Sequence, residues 1–447
     1  MGKRIVILGG GFGGLYAAKR LERRLRRTGD EVVLVSETNF MVFTPLLPGA
    51  AAGTLEPRHV VVSLREALRR TTIVTGAVVG ADLDTRTVRV CTPDGREHPV
   101  AFDHLVVALG SAARTLPIPG LEEHGLGFKT LPDAIGLRNR VLRTLETAET
   151  IEDPGERRAW LTYVFVGAGY AGLEGLAELQ DFAANVLAHY PRCREVGTRW
   201  ILVDAAPTVM PEIGPKLAAF AAAELRRRGI EIRTGTTLEA VAEDTVTLSG
   251  GEAVPAHTLV WTAGVRPVPA AATLGLPLTP AGAIPVDAEL RVPDVPGVWA
   301  IGDVASVPDP ARPGRPCPPT AQHAMRQAWQ VADNIVSVLG RRAPDPFSYR
   351  TRGVFVDMGR GRAVANAMGV RLRGIPAWWL ARTYHLYLMP GVKRRLRLLT
   401  DWNLQLLFGR DVSELGQIGG PVPLGGAPAH APDHGQTEAP GHGRARA

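Results

Sequence analysis

The chain has 447 residues, of which 45% are hydrophobic and 21% charged, and this balance indicates a globular protein with room for two or three domains. Its three cysteines are far apart and form no CxxC motif, which argues against a zinc site or a local redox disulfide. The formal net charge is +7, and no apolar run approaches the roughly 18–20 residues of a membrane-spanning helix.

The first predicted element is an apolar strand that leads into a glycine-rich turn and a helix, in IVILGGGFGGLYAAKRL (5–21). Because the chain opens on this strand, we expect its start to belong to the fold and not to a signal peptide. The turn has the GxGxxG pattern, which binds a pyrophosphate at the helix N-terminus. The next strand ends in an acid, which fits a ribose diol. The predicted contacts are Gly9, Gly11, Phe12, Gly13, Gly14, Ser36 and Glu37.

Short apolar strands that alternate with turn residues follow, and they predict a small antiparallel sheet within residues 74–111. A matching stretch occupies residues 230–267, in the same position relative to a second glycine-rich unit. The chain therefore contains a repeated arrangement of a dinucleotide-binding unit followed by a small antiparallel insertion.

The second unit, YVFVGAGYAGLEGLAEL (163–179), repeats the strand, glycine turn and helix with Gly167, Gly169 and Gly172. Asp204 ends the following strand and favours an unphosphorylated ribose, hence NADH over NADPH. Its distance from the glycines exceeds the usual ~20 residues, so we expect an insertion around LAHYPRCREVG (187–197). Two such sites imply one tightly held and one exchanging dinucleotide.

This layout resembles the two-dinucleotide-fold flavoproteins that use FAD and NAD(P). LVVALGS (105–111) and LVWTAGVRP (259–267) resemble the crossover strands of that superfamily, and VWAIGDVA (298–305) resembles its flavin motif. The resemblance implies that Asp303 holds the ribityl chain and that Gly302 lets the flavin pass close to the backbone. It also assigns cofactor contacts to Val78, Leu109, Gly110, Tyr170 and Gly264.

Three further segments resemble type II NADH dehydrogenases, the single-chain enzymes that pass electrons from NADH to quinone without pumping protons. These are NFMVFTPLLPGAAAGTLEP (39–57), PPTAQHAMRQA (318–328) and the stretch RTYHLYLMPGVKRRLRLLTDWNLQLLFGRDVSEL that begins at Arg382. The resemblance implies cofactor contacts at Thr44, Pro45, Leu46, Ala321 and Gln322. It also suggests catalytic roles for Glu174, Gln322, Arg326 and Gln327.

Two of these assignments have alternatives. Glu174 resembles a family glutamate near the nicotinamide and flavin and is our candidate for proton handling, but a carboxylate there also favours the helix dipole. Arg326 stands where the family usually has its second glutamine, with Gln327 next to it, and this departure bears on the quinone contacts. We expect His323 to pack against its helix neighbours.

The region before the C-terminus is basic and aromatic. Residues 341–410 hold fourteen Lys or Arg against three acids, and GIPAWWLARTYHLYLMPGVKRRLR (374–397) combines tryptophans, tyrosines and cations. This composition favours a pair of helices lying in a membrane interface, next to quinone dissolved in lipid. A homodimer interface is the alternative, and both can hold together.

The predicted fold class is α/β, with two Rossmann-like domains and a C-terminal membrane-associating helical region. The FAD-binding domain comprises 1–118 and 282–345 and is interrupted by the NADH-binding domain, 119–281. The C-terminal region covers 346–420, and 421–447 is a tail without periodicity that we expect to be disordered. We expect a peripheral location on the cytoplasmic face of the cell membrane, and neither a metal nor a nucleic-acid partner.

Other functions use the same scaffold. A sulfide:quinone oxidoreductase needs cysteines at the flavin, where only Cys317 is expected nearby, although Cys193 stays open. A reductase of an iron–sulfur or thiol protein is a second alternative. A flavin-binding regulator that senses NADH without turnover is a third, which Arg326 encourages.

Overall fold

The computed structural model describes residues 2–351, 353–359 and 361–414. The predicted tail at 421–447, together with the end of the predicted C-terminal region, lies outside the described residues. Among those that are described, no helix is both long and apolar enough to cross a bilayer.

The first parallel sheet is built from strands separated widely in the chain. In sheet order they are Val298–Ala300, His104–Val107, Arg4–Leu8, Glu31–Ser36 and Thr72–Thr75. Every pairing is parallel. The two central strands are buried along almost their whole length, because the helix Phe12–Arg24 and the antiparallel strands Ala77–Asp82 and Glu97–Ala101 pack against them.

The second parallel sheet repeats this order except at its first edge strand, which precedes the glycine turn in the chain instead of following it. Its strands are Gly125–Gly127, Thr258–Trp261, Thr162–Val166, Arg199–Asp204 and Ile230–Thr234. All four pairings are again parallel. The predicted fold class, with one Rossmann-like domain inserted into another, is thereby confirmed.

Seven helices in the described part of the chain exceed ten residues. They are α1 (Phe12–Arg24), α2 (Leu131–Thr150), α3 (Tyr170–Val186), α4 (Pro215–Arg227), α5 (Ala321–Leu339), α6 (Ile375–Leu388) and α7 (Val392–Phe408). Shorter helices are Leu47–Ala51, Leu64–Ala67, Leu121–His124, Pro154–Trp160 and Pro191–Val196. The last of these lies in the predicted insertion before Asp204.

Both predicted antiparallel insertions are three-stranded sheets. The first consists of Ala77–Asp82, Thr87–Cys91 and Glu97–Ala101, and the second of Leu238–Val241, Thr245–Leu248 and Glu252–Pro255. Short two-stranded pairs join Phe40–Val42 to Val61–Ser63, Ser111–Ala113 to Val265–Pro267, and Ile284–Pro285 to Ala305–Ser306. Ala271 and Leu274, which precede the predicted domain boundary at 281/282, pack in the core of the first sheet. The domain boundaries stay predictions.

The C-terminal region adds an antiparallel sheet of Gly353–Asp357, Ala363–Ala367 and Val370–Gly374. This sheet packs on both α3 and α6. The predicted helix pair is present as α6 and α7, separated by the turn at Pro390 and Gly391, where Gly391 has φ +90°.

Helix α7 connects the two dinucleotide domains. Near its middle, Asp401 accepts a hydrogen bond from the Glu56 amide (3.2 Å) and contacts His59 Nδ1 (2.7 Å), both beside the first domain. Past its end, Arg410 donates to Asp181 of α3 (2.6 Å). Arg138 of α2 donates to the Asp411 carbonyl oxygen at 2.7 Å. The middle of this helix and the segment that follows it are thus held by different domains.

Candidate active site

The first glycine turn has the shape that a pyrophosphate site requires. Gly9 has φ +103°, a backbone conformation that favours glycine. A Cβ added at Gly14 would come within 1.8 Å of the Gly9 carbonyl oxygen, so α1 could not pack there with a side chain. At Gly11 an added Cβ would meet nothing within 4 Å, which leaves the amides at the start of α1 open to a ligand.

The second glycine turn is nearly the same. Gly167 has φ +109°, and a Cβ added at Gly172 would come within 1.9 Å of the Gly167 carbonyl oxygen. Gly169 again faces open space, and α3 begins at the next residue, Tyr170. The two turns therefore present two equivalent anion-binding helix ends.

The two predicted ribose acids differ in their surroundings. Glu37 is exposed just past its strand. Ser36 is only 6% exposed, and its side chain lies directly against Gly10, so it faces the turn rather than the solvent. Asp204 accepts hydrogen bonds from the amides of Ala168 (2.5 Å) and Ala206 (2.7 Å), which fixes the carboxylate beside the second turn.

A partly buried chain of hydrogen bonds leads to Asp303. Ser111 Oγ donates to Asp303 Oδ2 at 2.6 Å, and Lys129 Nζ donates to Ser111 Oγ at 2.7 Å. Burial lowers the pKa of Lys129, while Asp303 acts in the opposite direction. The neighbouring Gly302 has φ +72° and leaves space that a side chain would fill. No sequence motif indicates a role for Lys129, because this residue lies in the segment between the two units.

The helix α5 presents its two glutamines differently. Gln327 is 2% exposed, and its Oε1 accepts a hydrogen bond from the Gly302 amide at 2.7 Å. Gln322 donates to the Gly353 carbonyl oxygen (3.1 Å) and accepts from the Tyr349 hydroxyl (2.9 Å). Gln327 thus holds the loop at Gly302, whereas Gln322 connects α5 to the C-terminal sheet.

Arg326 lies among aromatic rings. Its guanidinium carbon is 4.4 Å from the centroid of the Trp329 ring and 5.4 Å from that of Tyr349. Such cation–π contacts hold a charged side chain in a partly dehydrated position. The residue that departs from the family pattern is therefore fixed next to the Tyr349–Gln322 hydrogen bond.

Four side chains form what we call the aromatic cage: Phe43, Phe355, Tyr384 and His385. Phe355 stacks on Tyr384 (4.7 Å between centroids), and the His385 ring meets Phe355 and Phe43 edge-on at 6.2 and 6.3 Å. Burial lowers the pKa of His385 to about 4, so the ring is neutral at pH 7. The cage joins the loop before Thr44 to the helix α6.

The side chain of Glu174 is hydrogen-bonded to the C-terminal sheet. Its Oε1 accepts a hydrogen bond from the Asp357 amide at 2.8 Å. Burial raises the pKa of the Glu174 carboxyl well above its usual range, and the nearby Asp357 and Glu178 raise it further. A raised pKa favours the protonated form of this carboxyl, which makes Glu174 a candidate proton carrier. Sequence reasoning missed Asp357, which lies 183 positions along the chain.

The structure also gives the positions of the other predicted cofactor contacts, whose binding roles stay predictions. Thr44, Pro45 and Leu46 form a helical turn directly after Phe43. Phe12 begins α1, and its ring centroid is 5.6 Å from that of Phe43. The remaining positions are buried, half-buried or at turns: Gly13, Val78, Leu109, Gly110 with φ +76°, Gly264 with φ +94°, and Ala321 at the start of α5.

The cysteines lie apart, against the chemistry of a sulfide oxidase. Cys193 is buried in the core of the second domain, where its thiol donates to the Leu145 carbonyl oxygen. Cys317 lines a cavity of about 180 Å³ together with Ser111 and Asp303. Burial raises the pKa of Cys317 to about 11, so its reactive thiolate is scarce at neutral pH. Thr320 caps α5: its Oγ1 accepts a hydrogen bond from the His323 amide (3.3 Å) and also lies 2.8 Å from His323 Nδ1.

Comparison with known proteins identifies the family. A family model described as pyridine nucleotide-disulphide oxidoreductase matches residues 3–328. The type II NADH:quinone oxidoreductase Ndh of Mycobacterium tuberculosis is 32% identical over 426 residues, which cover 91% of this chain and 89% of that protein. The chain belongs to the type II NADH:quinone oxidoreductases.

Two further comparisons agree with this membership. The demethylphylloquinone reductase NdbB of Synechocystis is 31% identical, covering 89% of this chain and 95% of that protein. The solved structure of NDH2 from Plasmodium falciparum in complex with NADH superposes with a TM-score of 0.85 at 18% identity, over 92% of this chain and all of that one. Membership of the type II enzymes confirms the predicted family, the enzyme class, and FAD and NADH as cofactors.

Proposed function

We propose that this type II enzyme oxidises NADH at its second glycine turn and reduces a quinone held in the aromatic cage. The observation that carries the proposal is the cage itself. Phe43 directly precedes the helical turn Thr44–Leu46, whereas Tyr384 and His385 come from α6. An apolar acceptor that binds there lies between the cofactor loops and the C-terminal helix pair.

The FAD would be held by the first glycine turn and by the loop around Asp303. Gly11 leaves room for the pyrophosphate, Asp303 with Ser111 accepts and donates to a ribityl chain, and Gln327 fixes the Gly302 amide. When bound, the flavin supplies two-electron transfer between a hydride donor and a quinone. The residues of this chain position the reactants around it.

NADH would bind at the start of α3. The open amides after Gly169 fit its pyrophosphate, and Asp204 lies at the end of the adjacent strand, where a carboxylate repels a 2′-phosphate. Glu174 is one turn further along the same helix, and its raised pKa suits it to hold a proton beside the reaction.

The quinone ring would lie against Phe355, Tyr384 and His385. Because His385 stays neutral, the cage offers an apolar, uncharged wall to a hydrophobic ring. Gln322 and Arg326 both contact Tyr349, and Tyr349 and Arg326 lie near Tyr384 of the cage. Gln322 and Arg326 would provide polar contacts for the quinone oxygens. The reaction then consumes NADH, one solvent proton and a quinone, and it yields NAD⁺ and a quinol.

The surface of the C-terminal helices supports a membrane-bound location. Many large apolar side chains of α6 and α7 are exposed, although such residues are usually buried. They are Ile375, Trp379, Tyr387, Val392, Leu396, Leu399, Leu404, Leu406, Leu407 and Phe408. Lys393 and Arg397 are exposed between them, as in helices that lie on an anionic bilayer. We assign this surface to the cytoplasmic face of the cell membrane, with a homodimer contact as the alternative cover.

One spectroscopic experiment tests the function. The purified protein is kept anaerobic, its flavin absorbance is recorded, and NADH is added, followed by a short-chain quinone. Loss of the absorbance with NADH and its recovery with quinone are the expected results. If NADH leaves the absorbance unchanged while sulfide removes it, the donor assignment is wrong. If quinone fails to restore it, the acceptor assignment is wrong.

A further inference from the structure

The proposed reaction consumes one proton whose source is not yet identified. NADH gives a hydride, which carries two electrons and one proton, whereas a quinone takes up two electrons and two protons. One proton per turnover must therefore come from solvent. The inference below rests on the proposed function and concerns the route of that proton.

Three carboxylic acids follow one face of α3. Glu174, Glu178 and Asp181 are spaced by four and then three residues, so they lie along the same side of the helix. Glu178 and Asp181 are only 3% and 5% exposed, which is rare for acids. Asp357 of the C-terminal sheet faces the first two, and its amide binds Glu174.

Arginines from the C-terminal region complete the cluster. Arg410 Nη2 is 2.6 Å from Asp181 Oδ2 and 3.6 Å from Glu178 Oε2. Arg382 faces Glu178 and Asp357 electrostatically, while its guanidinium lies 4.0 Å from the centroid of the Trp378 ring. Burial, reinforced by Asp357, raises the pKa of Glu178, and the two arginines lower it in part. Behind Asp181, Arg228 is bound to Gln180.

Two buried polar atoms in this cluster have unused hydrogen-bonding capacity that ordered water can satisfy. Within the described residues, Glu178 Oε2 and Arg410 Nη1 are inaccessible and lack a hydrogen-bond partner. Such atoms in a polar, confined space are usually satisfied by ordered water. Water between these charged side chains would connect acids that do not touch one another directly.

The cluster also reaches the surface at one end. A cleft of about 400 Å³ is lined by Asp181, Arg410, Gln405, Asn185, Gly409 and Ala184. Asn185 and Gly409 are exposed, so the cleft is open to solvent beside the end of α7. At the other end, Glu174 lies one turn from the glycine turn that begins α3.

We propose that Asp181, Glu178, Asp357 and Glu174 form a water-bridged path that carries the solvent proton of quinone reduction from this cleft to the reaction site. Each transfer moves one proton from a donor oxygen to an acceptor oxygen, and the carboxyl that gives a proton is reprotonated from the side of the cleft. The path crosses the junction between the second domain and the C-terminal region.

The test separates the two half-reactions in the full-length, FAD-loaded protein. Glu178→Gln and Asp181→Asn are mixed first with NADH and then with a short-chain quinone, in H₂O and in D₂O. We expect the NADH phase to keep its wild-type rate, because a hydride transfer needs no solvent proton. The quinone phase should slow by about tenfold and show a larger solvent isotope effect than the wild type. Imidazole buffer should partly restore the rate of Asp181→Asn, since a small acid can replace a surface proton donor.

A matched control and a second readout make the result decisive. Glu224→Gln removes another buried carboxylate of the second domain, one that pairs with Arg227 and Arg362 outside the path, and should leave both phases unchanged. Infrared pH titration of the wild type without substrates should show a protonated carboxyl band that Glu178→Gln removes. Wild-type quinone phases in both path variants would overturn the path alone. Failure of the wild type to react with NADH or quinone would instead overturn the proposed function.

Discussion

The amide of Asp357 donates a 2.8 Å hydrogen bond to Glu174 Oε1, which joins the C-terminal sheet to the helix of the second glycine turn. The strand that ends at Asp357 begins at Gly353, whose carbonyl oxygen binds Gln322. Its central residue, Phe355, belongs to the aromatic cage. Alternate residues of a strand share a face, so one strand of about 13 Å connects Gln322 and the aromatic cage to Glu174.

Glu174→Gln should slow quinone-dependent NADH oxidation by roughly a hundredfold, because the amide cannot hold or deliver a proton. The flavin content should stay at the wild-type level, since Glu174 lies away from the first glycine turn. Steady-state assays and the absorbance ratio of flavin to protein measure the two effects. Unaltered turnover in the variant would mean that Glu174 serves only the helix start.

Asp204→Asn should reduce the preference for NADH over NADPH several-fold, because the negative charge that repels a 2′-phosphate is removed. The amide oxygen can still accept the Ala168 hydrogen bond, so the turn should keep its shape. The ratio of kcat/KM for the two donors is the measurement. Glu37→Gln is the matched control: it should weaken FAD retention and leave the donor preference intact.

Arg326→Gln, which restores the usual family residue, should change quinone kinetics without altering the reduction of the flavin by NADH. The guanidinium next to Tyr349 attracts negative charge, so its loss should raise KM for a sulfonated naphthoquinone more than for a neutral one. Arg326→Lys keeps the charge and should behave more like the wild type. Equal effects on both quinones would show that Arg326 does not face the acceptor.

Trp379→Ala should weaken binding to anionic vesicles by roughly tenfold, from the loss of about 1.5 kcal/mol of apolar burial. Vesicle sedimentation measures this effect. The side chain is 61% exposed, so the fold should be unaffected. Trp378 packs instead against the C-terminal sheet and Arg382, and Trp378→Ala should lower stability by roughly 3 kcal/mol. If Trp379→Ala sediments normally but dissociates a dimer, the exposed surface is a subunit interface.

His385→Phe should make the protein more resistant to acid. Burial holds the pKa of His385 at about 4, below its usual 6.5, so the unfolded chain takes up a proton in this range that the native state refuses. The stability tied to this residue is complete above pH 6.5 and falls as the pH drops toward 4, by about 3 kcal/mol at most. Thermal unfolding from pH 7 to 4 should show a shallower decline in the variant. An identical decline would mean that His385 is accessible to water.

Local sequence patterns were sufficient for most of the fold. Each glycine turn, its strand and its helix lie within about twenty residues, and the chemistry of close approach restricts which residues fit there. The two antiparallel insertions and the helix pair after Gly374 also follow from local periodicity. The family resemblance, which the comparisons confirm, added the flavin motif and the quinone acceptor.

The rest depends on contacts between distant segments. No local pattern indicates that Asp357 meets Glu174, or that Lys129 reaches Asp303 through Ser111. Neighbouring residues on a helix point about 100° apart, which separates Gln327, bound to Gly302, from Arg326, stacked on Trp329. The same geometry leaves Trp378 half-buried and Trp379 exposed, although the two are adjacent in the sequence.

Helix α7 is fastened to the first domain through Asp401 and to the second through Arg410. In the proposed membrane-bound state, the bilayer therefore contacts the helix that links the two domains. A change in the distance between the domains would displace this helix. By thermodynamic reciprocity, if lipid binding alters the affinity for NADH, then NADH alters the affinity for lipid by the same factor. The amount of enzyme on the membrane would then report the supply of its own electron donor.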